Sequence, residues 1–478
     1  MNPPEYSVIP AGDEFEDLDL DVENSPTSSE INEKRWFAKN KNYAYKVVVR
    51  SKWLLFILGI TICVIIAMSA AFILGTELGT LCQRLRDFRS SLFSPSTALY
   101  GVGLPEDKPL INFDITGGID YEVAGKECYR DKRGRIQNTY ITCVIGGRDT
   151  DPTIVRNMVL ECTRYAVNAR MGLVLPRVAI EGASGNVSVS YLFDEEHFKK
   201  ALSEICPNTL VVDDILNIEN LSNAIITPIA DPVNIPSGRQ KGTIPLETFQ
   251  QDILKYLNAT PSVENPGIVQ LEVGTSGLKN GNDNMTLLAT FGSLVRPRQD
   301  ILVFASKILY QMKSKYKLKM DLSGSMPDKG TFAGAYLDGS GSSYEESSRV
   351  YLDMLRGLGE RYEYLYTSSA NYSAIDELRS EAQEVGITVL TRWDLLSDIE
   401  DIEYIEKSLS REHEILIDYL VMLRSGWFMG QGSSGFSVNV AAKRHRIAQH
   451  AGRMTWPKDE WSHLVGRIDQ EIVERAWL

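Results

Sequence analysis

The chain has 478 residues, of which 43% are hydrophobic, 24% charged and 9% aromatic. This composition excludes collagen, low-complexity polymers and disulfide-dense toxins, and the length suits two to four domains. With 50 basic against 63 acidic residues the net charge is −13, which excludes a basic nucleic-acid binder, because phosphate neutralisation needs clustered Lys and Arg.

Residues 1–52 read as a disordered cytosolic tail. Its first part is rich in Glu, Asp, Pro and Ser with little to bury, and its end, from Lys34 to Lys52, is basic. Trp53 to Gly75 carries no charge and is long enough for one transmembrane helix, since a helix crossing the hydrocarbon needs about 20 apolar residues. Lys34, Arg35, Lys39, Lys41, Lys46, Arg50 and Lys52 precede it, and only Arg84, Arg86 and Arg89 follow closely. Positive residues stay cytosolic. The expectation is therefore a type II single-pass protein of the Golgi or ER, with its N-terminus in the cytosol and its main domain in the lumen. Residues 76–118 read as a stem, rich in Ser, Pro and Gly without a lasting apolar period. Cys82 offers a thiol for a dimer bridge.

An oxidising lumen bears on Cys128, Cys143, Cys162 and Cys206, which allow three connectivities. Cys128–Cys143 with Cys162–Cys206 is the expected pairing. Free buried thiols are the alternative, because Cys162 sits on an apolar helix stripe. Acceptor triplets for N-glycosylation occur at Asn186, Asn220, Asn258, Asn284 and Asn371, all after the span.

Tyr140 to Ile145 is a short β-rich run, broken by Gly146 to Pro152. A helix follows, with Ile154, Val155, Met158, Cys162, Tyr165, Ala166 and Ala169 on one face. Leu173 to Ile180 is the next strand, completing a βαβ unit and so a parallel sheet. Helices are expected at Asp300–Lys315, Ser347–Gly357, Ala374–Val385, Ile415–Leu423 and Phe436–Ile447. Strands are expected at Thr331–Leu337, Tyr364–Thr367, Ile387–Thr391 and Trp427–Met429. The fold class is α/β, with two Rossmann-like domains, 119–290 and 291–478, and a ligand site in the crevice between them.

The loop Gly430-Gln431-Gly432-Ser433-Ser434-Gly435 follows a strand and opens a helix. Helix N-terminal amides, close-approach glycines and the hydroxyls of Ser433, Ser434 and Ser437 suit a nucleotide diphosphate. A glycine turn with a serine cap is the competing reading. Gly146 and Gly147 in the first loop, with Arg156 in the helix after it, are candidates for the acceptor side. No HExxH and no paired CxxC occurs, so no metal site is expected. There is no GxSxG elbow and no P-loop motif.

Several segments together resemble the GDP-fucose protein O-fucosyltransferases, above all the membrane-anchored fungal type. These are Tyr140 to Pro176, Tyr191 to Leu202 (YLFDEEHFKKAL), Phe291 to Leu309 (FGSLVRPRQDILVFASKIL) and Ile417 to His445, with the similarity running from Tyr121 to Gly452. The resemblance implies a GT-B fold, a GDP-fucose donor used without a bound metal or cofactor, and a protein or glycan acceptor. It places Ser433, Ser434, Phe436, Ser437, Tyr336 and Asp338 at the nucleotide sugar. The family's strand reads Gly-Ala-His-Leu-Arg where this chain has Gly334-Ala335-Tyr336-Leu337-Asp338. An Asp in place of the diphosphate-binding Arg is repulsive, so a catalytically degenerate lumenal binding protein is the alternative to an active transferase. Arg296 and Arg349 are the cations that would have to substitute. Spacing singles out no catalytic base, and Asp149 is the carboxylate named for that role.

Overall fold

Alternating burial builds the first strand of the computed structural model. The model describes residues 104 to 476 apart from 105–107, 115–117, 129–134, 146–150, 181–185, 231–245, 274–284, 324–329, 338–342, 359–361, 370, 448–460 and 469–475. After α1 (Tyr121–Cys128), β1 (Thr139–Ile145) buries Thr139, Ile141, Cys143 and Ile145 and leaves the residues between them less covered, the period of two of a pleated strand. α2 (Pro152–Ala169) opens on a proline, whose missing N–H has no intrahelical partner at that position. Asp151 caps it by accepting from Thr153 N.

The single strand expected over Leu173–Ile180 is two pieces, β2 (Gly172–Val174) and β3 (Arg177–Val178). Pro176 between them has no N–H to donate to a ladder. Both pieces pair with β1 in parallel, at Tyr140↔Gly172 and Val144↔Arg177. β4 (Val187–Ser188) is an antiparallel edge on β3. α3 (Glu195–Ile205), β5 (Val211–Val212) and β6 (Ile225–Ile226) follow. α4 (Leu246–Leu257) leads to β7 (Gly267–Val273), which pairs with β1 along its whole length, from Thr139↔Gly267 to Ile145↔Val273. The order across the sheet is β6-β7-β1-β2-β5, with β3 and β4 extending one side.

Two disulfides staple this half, in a different pairing from the one expected. Cys143 points to the face of β1 that α2 covers, so its partner is Cys162 on α2, with Cα atoms 6.0 Å apart. Cys128 at the end of α1 joins Cys206 at the end of α3, with Cα atoms 5.2 Å apart.

The second half begins with α5 (Met285–Gly292) and α6 (Gln299–Lys315). Its sheet is built from β8 (Ala333–Leu337), β9 (Tyr364–Ser369), β10 (Thr388–Leu390), β11 (Trp427–Gln431) and β12 (Ser462–Val465). Around it lie α7 (Ser343–Gly357), α8 (Tyr372–Glu384), α9 (Arg392–Leu395), α10 (Ile399–Ser408), α11 (Arg411–Leu423) and α12 (Gly435–Ile447). The strand order is β10-β9-β8-β11-β12, all parallel. From β8 the chain winds outward to β10, then returns to the other side of β8 to lay down β11 and β12. The gap between β8 and β11 is therefore a topological switch point, where ligands of such sheets bind.

The described residues all fall in one unit, Leu99–Leu478. Part of the expected stem belongs to it. Ile111 and Phe113 are buried, Ile111 N donates to Ser306 Oγ of α6, and Tyr310 Oη donates to the Pro109 carbonyl. Among the described residues no helix is long and apolar enough to cross a membrane. Trp53 to Gly75, the tail before it and Cys82 lie outside them.

Candidate functional site

The junction between the halves is built where two helices begin. α2 starts just past β1, at the switch point of the first sheet between β1 and β7, and α12 starts just past β11 at that of the second. Their N-terminal turns touch. Asn157 Nδ2 donates to Asn439 Oδ1 at 2.8 Å, and Asn439 Nδ2 donates to Thr153 Oγ1 at 2.9 Å. Thr153 is itself held by Asp151 at 2.6 Å. A Cβ on Gly435 would lie 2.4 Å from Ile154 Cδ1. This glycine of the Gly-Ser loop therefore lets α12 approach α2.

The other loop residues divide between cap, core and surface. Ser434 Oγ accepts from Ser437 N at 3.3 Å, the geometry of a helix cap. Ser433 is exposed. Ser437 is wholly buried, with its hydroxyl without a hydrogen-bond partner and packed on Gly430, where a Cβ would come within 2.3 Å of it. That hydroxyl faces β11 rather than the loop mouth, contrary to its expected phosphate role. Phe436 is also wholly buried. Its ring stacks on Tyr336 at 4.2 Å and meets Tyr419 edge-on at 5.9 Å. Of this aromatic pair Tyr336 is the half-exposed member, so it presents the surface expected of Phe436.

Arg156, expected on the acceptor side, binds backbone carbonyls of the second half. It is buried, with Nε donating to the Val295 carbonyl at 3.1 Å and a second donor reaching the Gly292 carbonyl. Burial pulls its pKa below the ordinary guanidinium value. Gly146, Gly147, Asp149, Asp338 and Asn284 lie outside the described residues. Asn186, Asn220, Asn258 and Asn371 are exposed.

A cavity of about 270 Å³ opens beside Tyr336 at the carboxyl ends of β8 and β9. Asp418 on α11 is its anchor. It accepts from Tyr366 Oη at 2.6 Å, from Ser368 Oγ at 2.5 Å and from Arg392. Arg392 also donates to Glu414, and its Nε is buried without a partner. Burial opposes the charge on Arg392, but Asp418 and Glu414 more than offset it and raise its pKa. Burial also pushes the Glu414 carboxyl above the usual range, against the pull of Arg392. Tyr366 is raised well above the ordinary phenol value, first by burial and then by Asp418. The cavity thus pairs an aromatic wall with hydroxyls and a half-buried carboxylate, a lining suited to a polar heterocycle or sugar. Sequence reading named Tyr336 but missed Tyr366, Ser368, Arg392, Glu414 and Asp418. The available signal was an Asp in the apolar run Ile415 to Leu423, since a buried carboxylate requires partners.

The Phe-Asp-x-x-His-Phe and Val-Arg-Pro-Arg segments turn out to grip each other. Arg296 donates twice to Asp194, at 3.0 and 2.6 Å, and Asp194 N donates back to the Arg296 carbonyl at 2.9 Å. His197 Nε2 lies 3.1 Å from the Ser293 carbonyl. Arg296 is therefore committed away from the switch point, and exposed Arg349 lies 3.9 Å from Glu381. Among the described residues no group of His, Cys, Asp and Glu could hold a metal ion.

No protein-family model matches the chain, and no curated protein matches it in sequence. Solved structures do match in shape. POFUT1 in complex with GDP-fucose overlaps with a TM-score of 0.39 at 14% identity, over 71% of this chain and 99% of that one. An Arabidopsis thaliana FUT1 variant in complex with GDP gives 0.35 at 9% identity, over 68% and 72%. The α-1,6-fucosyltransferase NodZ soaked with GDP-fucose gives 0.37 at 11% identity, over 65% and 92%. Overlap this loose assigns neither donor nor acceptor to this chain.

Proposed function

We propose that the chain is a nucleotide-sugar glycosyltransferase of GT-B build that passes fucose from GDP-fucose to a protein or glycan acceptor without a metal. One observation carries this reading. The helices that follow the two switch points meet at their N-terminal turns, beside an aromatic pair at the ends of β8 and β11. The diphosphate would lie at the first turn of α12, near Ser433 and the cap Ser434, where backbone amides and the helix dipole favour negative charge. Tyr336 would wall the donor, and the Asp418 cavity would take its nucleoside end. Asp149 remains the residue proposed to accept the acceptor proton. The protein would be of the membrane-anchored fungal type, held by Trp53 to Gly75 with this unit in the Golgi or ER lumen.

A second reading has its own support. Asp338 stands where the resembled family has Arg, and the two cations that could substitute face Asp194 and Glu381 instead. Leaving-group stabilisation would then fall short by about 3–4 kcal/mol, the cost of one preorganised donor. On this reading the chain binds the nucleotide and transfers nothing. Calorimetry of the full chain with GDP and GDP-fucose, followed by a fucose-release assay, separates the two. Binding with turnover supports the transferase and binding alone supports the degenerate site. No binding at millimolar nucleotide overturns both.

A further inference from the structure

We propose that the junction carries an acid-sensitive latch, in which neutral His413 of the second half holds Tyr191 of the first and caps its own helix, and protonation removes the cap. This goes beyond the donor reading and does not depend on it.

His413 is 1% exposed at the start of α11. Its Nδ1 accepts from Ser410 N at 3.0 Å, with Ser410 Oγ at 2.9 Å from the same nitrogen. Nδ1 therefore carries no proton, and Nε2 carries the ring's one hydrogen. That hydrogen is donated to the Tyr191 carbonyl at 2.5 Å, and the two rings pack with centroids 4.6 Å apart. The imidazole thus serves as helix cap on one side and as inter-half donor on the other, and only the neutral form does both.

The surroundings settle what a second proton does. Arg298, at the start of α6, donates to the same Tyr191 carbonyl at 3.0 Å and lies 3.2 Å from Nε2. Asp300 binds Arg298 in turn and accepts from Tyr404 Oη of α10 at 3.3 Å. Glu412 is the neighbouring carboxylate on α11 itself. Burial and Arg298 disfavour the imidazolium, while the Tyr191 carbonyl, Asp300 and Glu412 favour it, and burial prevails. A proton on Nδ1 would turn the acceptor for Ser410 N into a second donor and set a cation beside Arg298. α11 would lose its cap, while Nε2 would go on donating to the Tyr191 carbonyl. Because Glu414, Ile415 and Asp418 of α11 line the cavity, acid would loosen that wall as well.

Hydrogen exchange on the purified full chain tests this, at about pH 7.5 and pH 5.5, spanning the ordinary histidine range, with intrinsic rates corrected. Amides of residues 410–416 should exchange several-fold faster in acid, while those of β8 and β9 hold. His413→Gln restores a Ser-x-x-Gln cap that cannot titrate, and it should abolish the acid response. Equal protection of the wild-type junction at both pH values overturns the latch, as does an unchanged acid response in H413Q. Should H413Q not fold, the ring of His413 can be followed by NMR in the wild type. Loosening of α11 that follows the titration of this ring supports the proposal, and a ring that titrates while residues 410–416 stay protected overturns it.

Discussion

Tyr336 stacks on Phe436 across the switch point, with ring centroids 4.2 Å apart and planes within 22° of parallel. One ring ends a strand and the other opens a helix, so the pair fixes how α12 sits over β8. Phe436→Ala should cost about 3–5 kcal/mol, the usual range for a fully buried aromatic, and urea melts of the two proteins measure it. Tyr336→Ala leaves the buried ring in place and should cost less stability, but it should weaken GDP binding in calorimetry. Equal GDP affinity in the wild type and Tyr336→Ala would move the donor away from this ring.

Ser434 and Ser437 look interchangeable in the sequence, yet the fold separates them. Ser434→Ala removes a helix cap and should cost about 1 kcal/mol, with weaker GDP binding if the diphosphate sits on that turn. Ser437→Ala removes a buried hydroxyl that has no partner. An unsatisfied buried polar group is a cost, not a contribution, so this variant should be as stable as the wild type or more so, with GDP affinity unchanged. A Ser437→Ala protein that folds well but binds GDP poorly would show that this hydroxyl reaches the ligand after all.

Much of this was legible from local pattern. The apolar periods over Ile154–Ala169 and Ile301–Met312 are helices in the structure, and the strands expected at Thr331–Leu337, Tyr364–Thr367, Ile387–Thr391 and Trp427–Met429 are there too, whereas β12 was not expected. What was not legible depends on distant partners. β7 lies inside the first sheet, between β6 and β1, but GIVQLEV carries no motif. The Cys143–Cys162 pairing follows only once α2 is known to cover that face of β1. The hydroxyl of Ser437 suits a phosphate and the resemblance places Phe436 at the nucleotide sugar, whereas the packing of α12 buries both. The Asp418 cavity draws on β8, β9, α8, α9 and α11, and no single segment announces it.

Gly435 should resist substitution because of Ile154. Gly435→Ala places a methyl 2.4 Å from Ile154 Cδ1 and 2.7 Å from its Cγ1, so it should destabilise by about 1–3 kcal/mol, the usual cost of overpacking. Ile154→Ala opens space at the same contact. A double-mutant cycle in thermal melts should therefore show rescue, with the pair less destabilised than the sum of the two singles. Strict additivity would mean that the glycine serves backbone conformation or a ligand rather than the approach of α12 to α2.

Asp194 links pH to stability at the grip between the two motif segments. Burial works against its charge, but the His197 amide and Arg296 more than compensate and hold its carboxyl below the usual range. The unfolded chain, with an ordinary carboxyl near pKa ~3.9, therefore binds the proton more readily than the folded one. The stabilisation is full above that ordinary value and is lost as pH falls through the lower, folded-state value. Asp194→Asn preserves the helix cap, because Asn caps about as well as Asp, but it cannot pair ionically with Arg296. Urea melts should find the variant less stable than the wild type at about pH 6, with the gap closing below about pH 4 as the wild-type carboxylate is protonated. A gap that persists undiminished to about pH 2.5 would assign the loss to changed cap geometry rather than to charge, and the Asp194–Arg296 pair would then contribute shape alone to the junction.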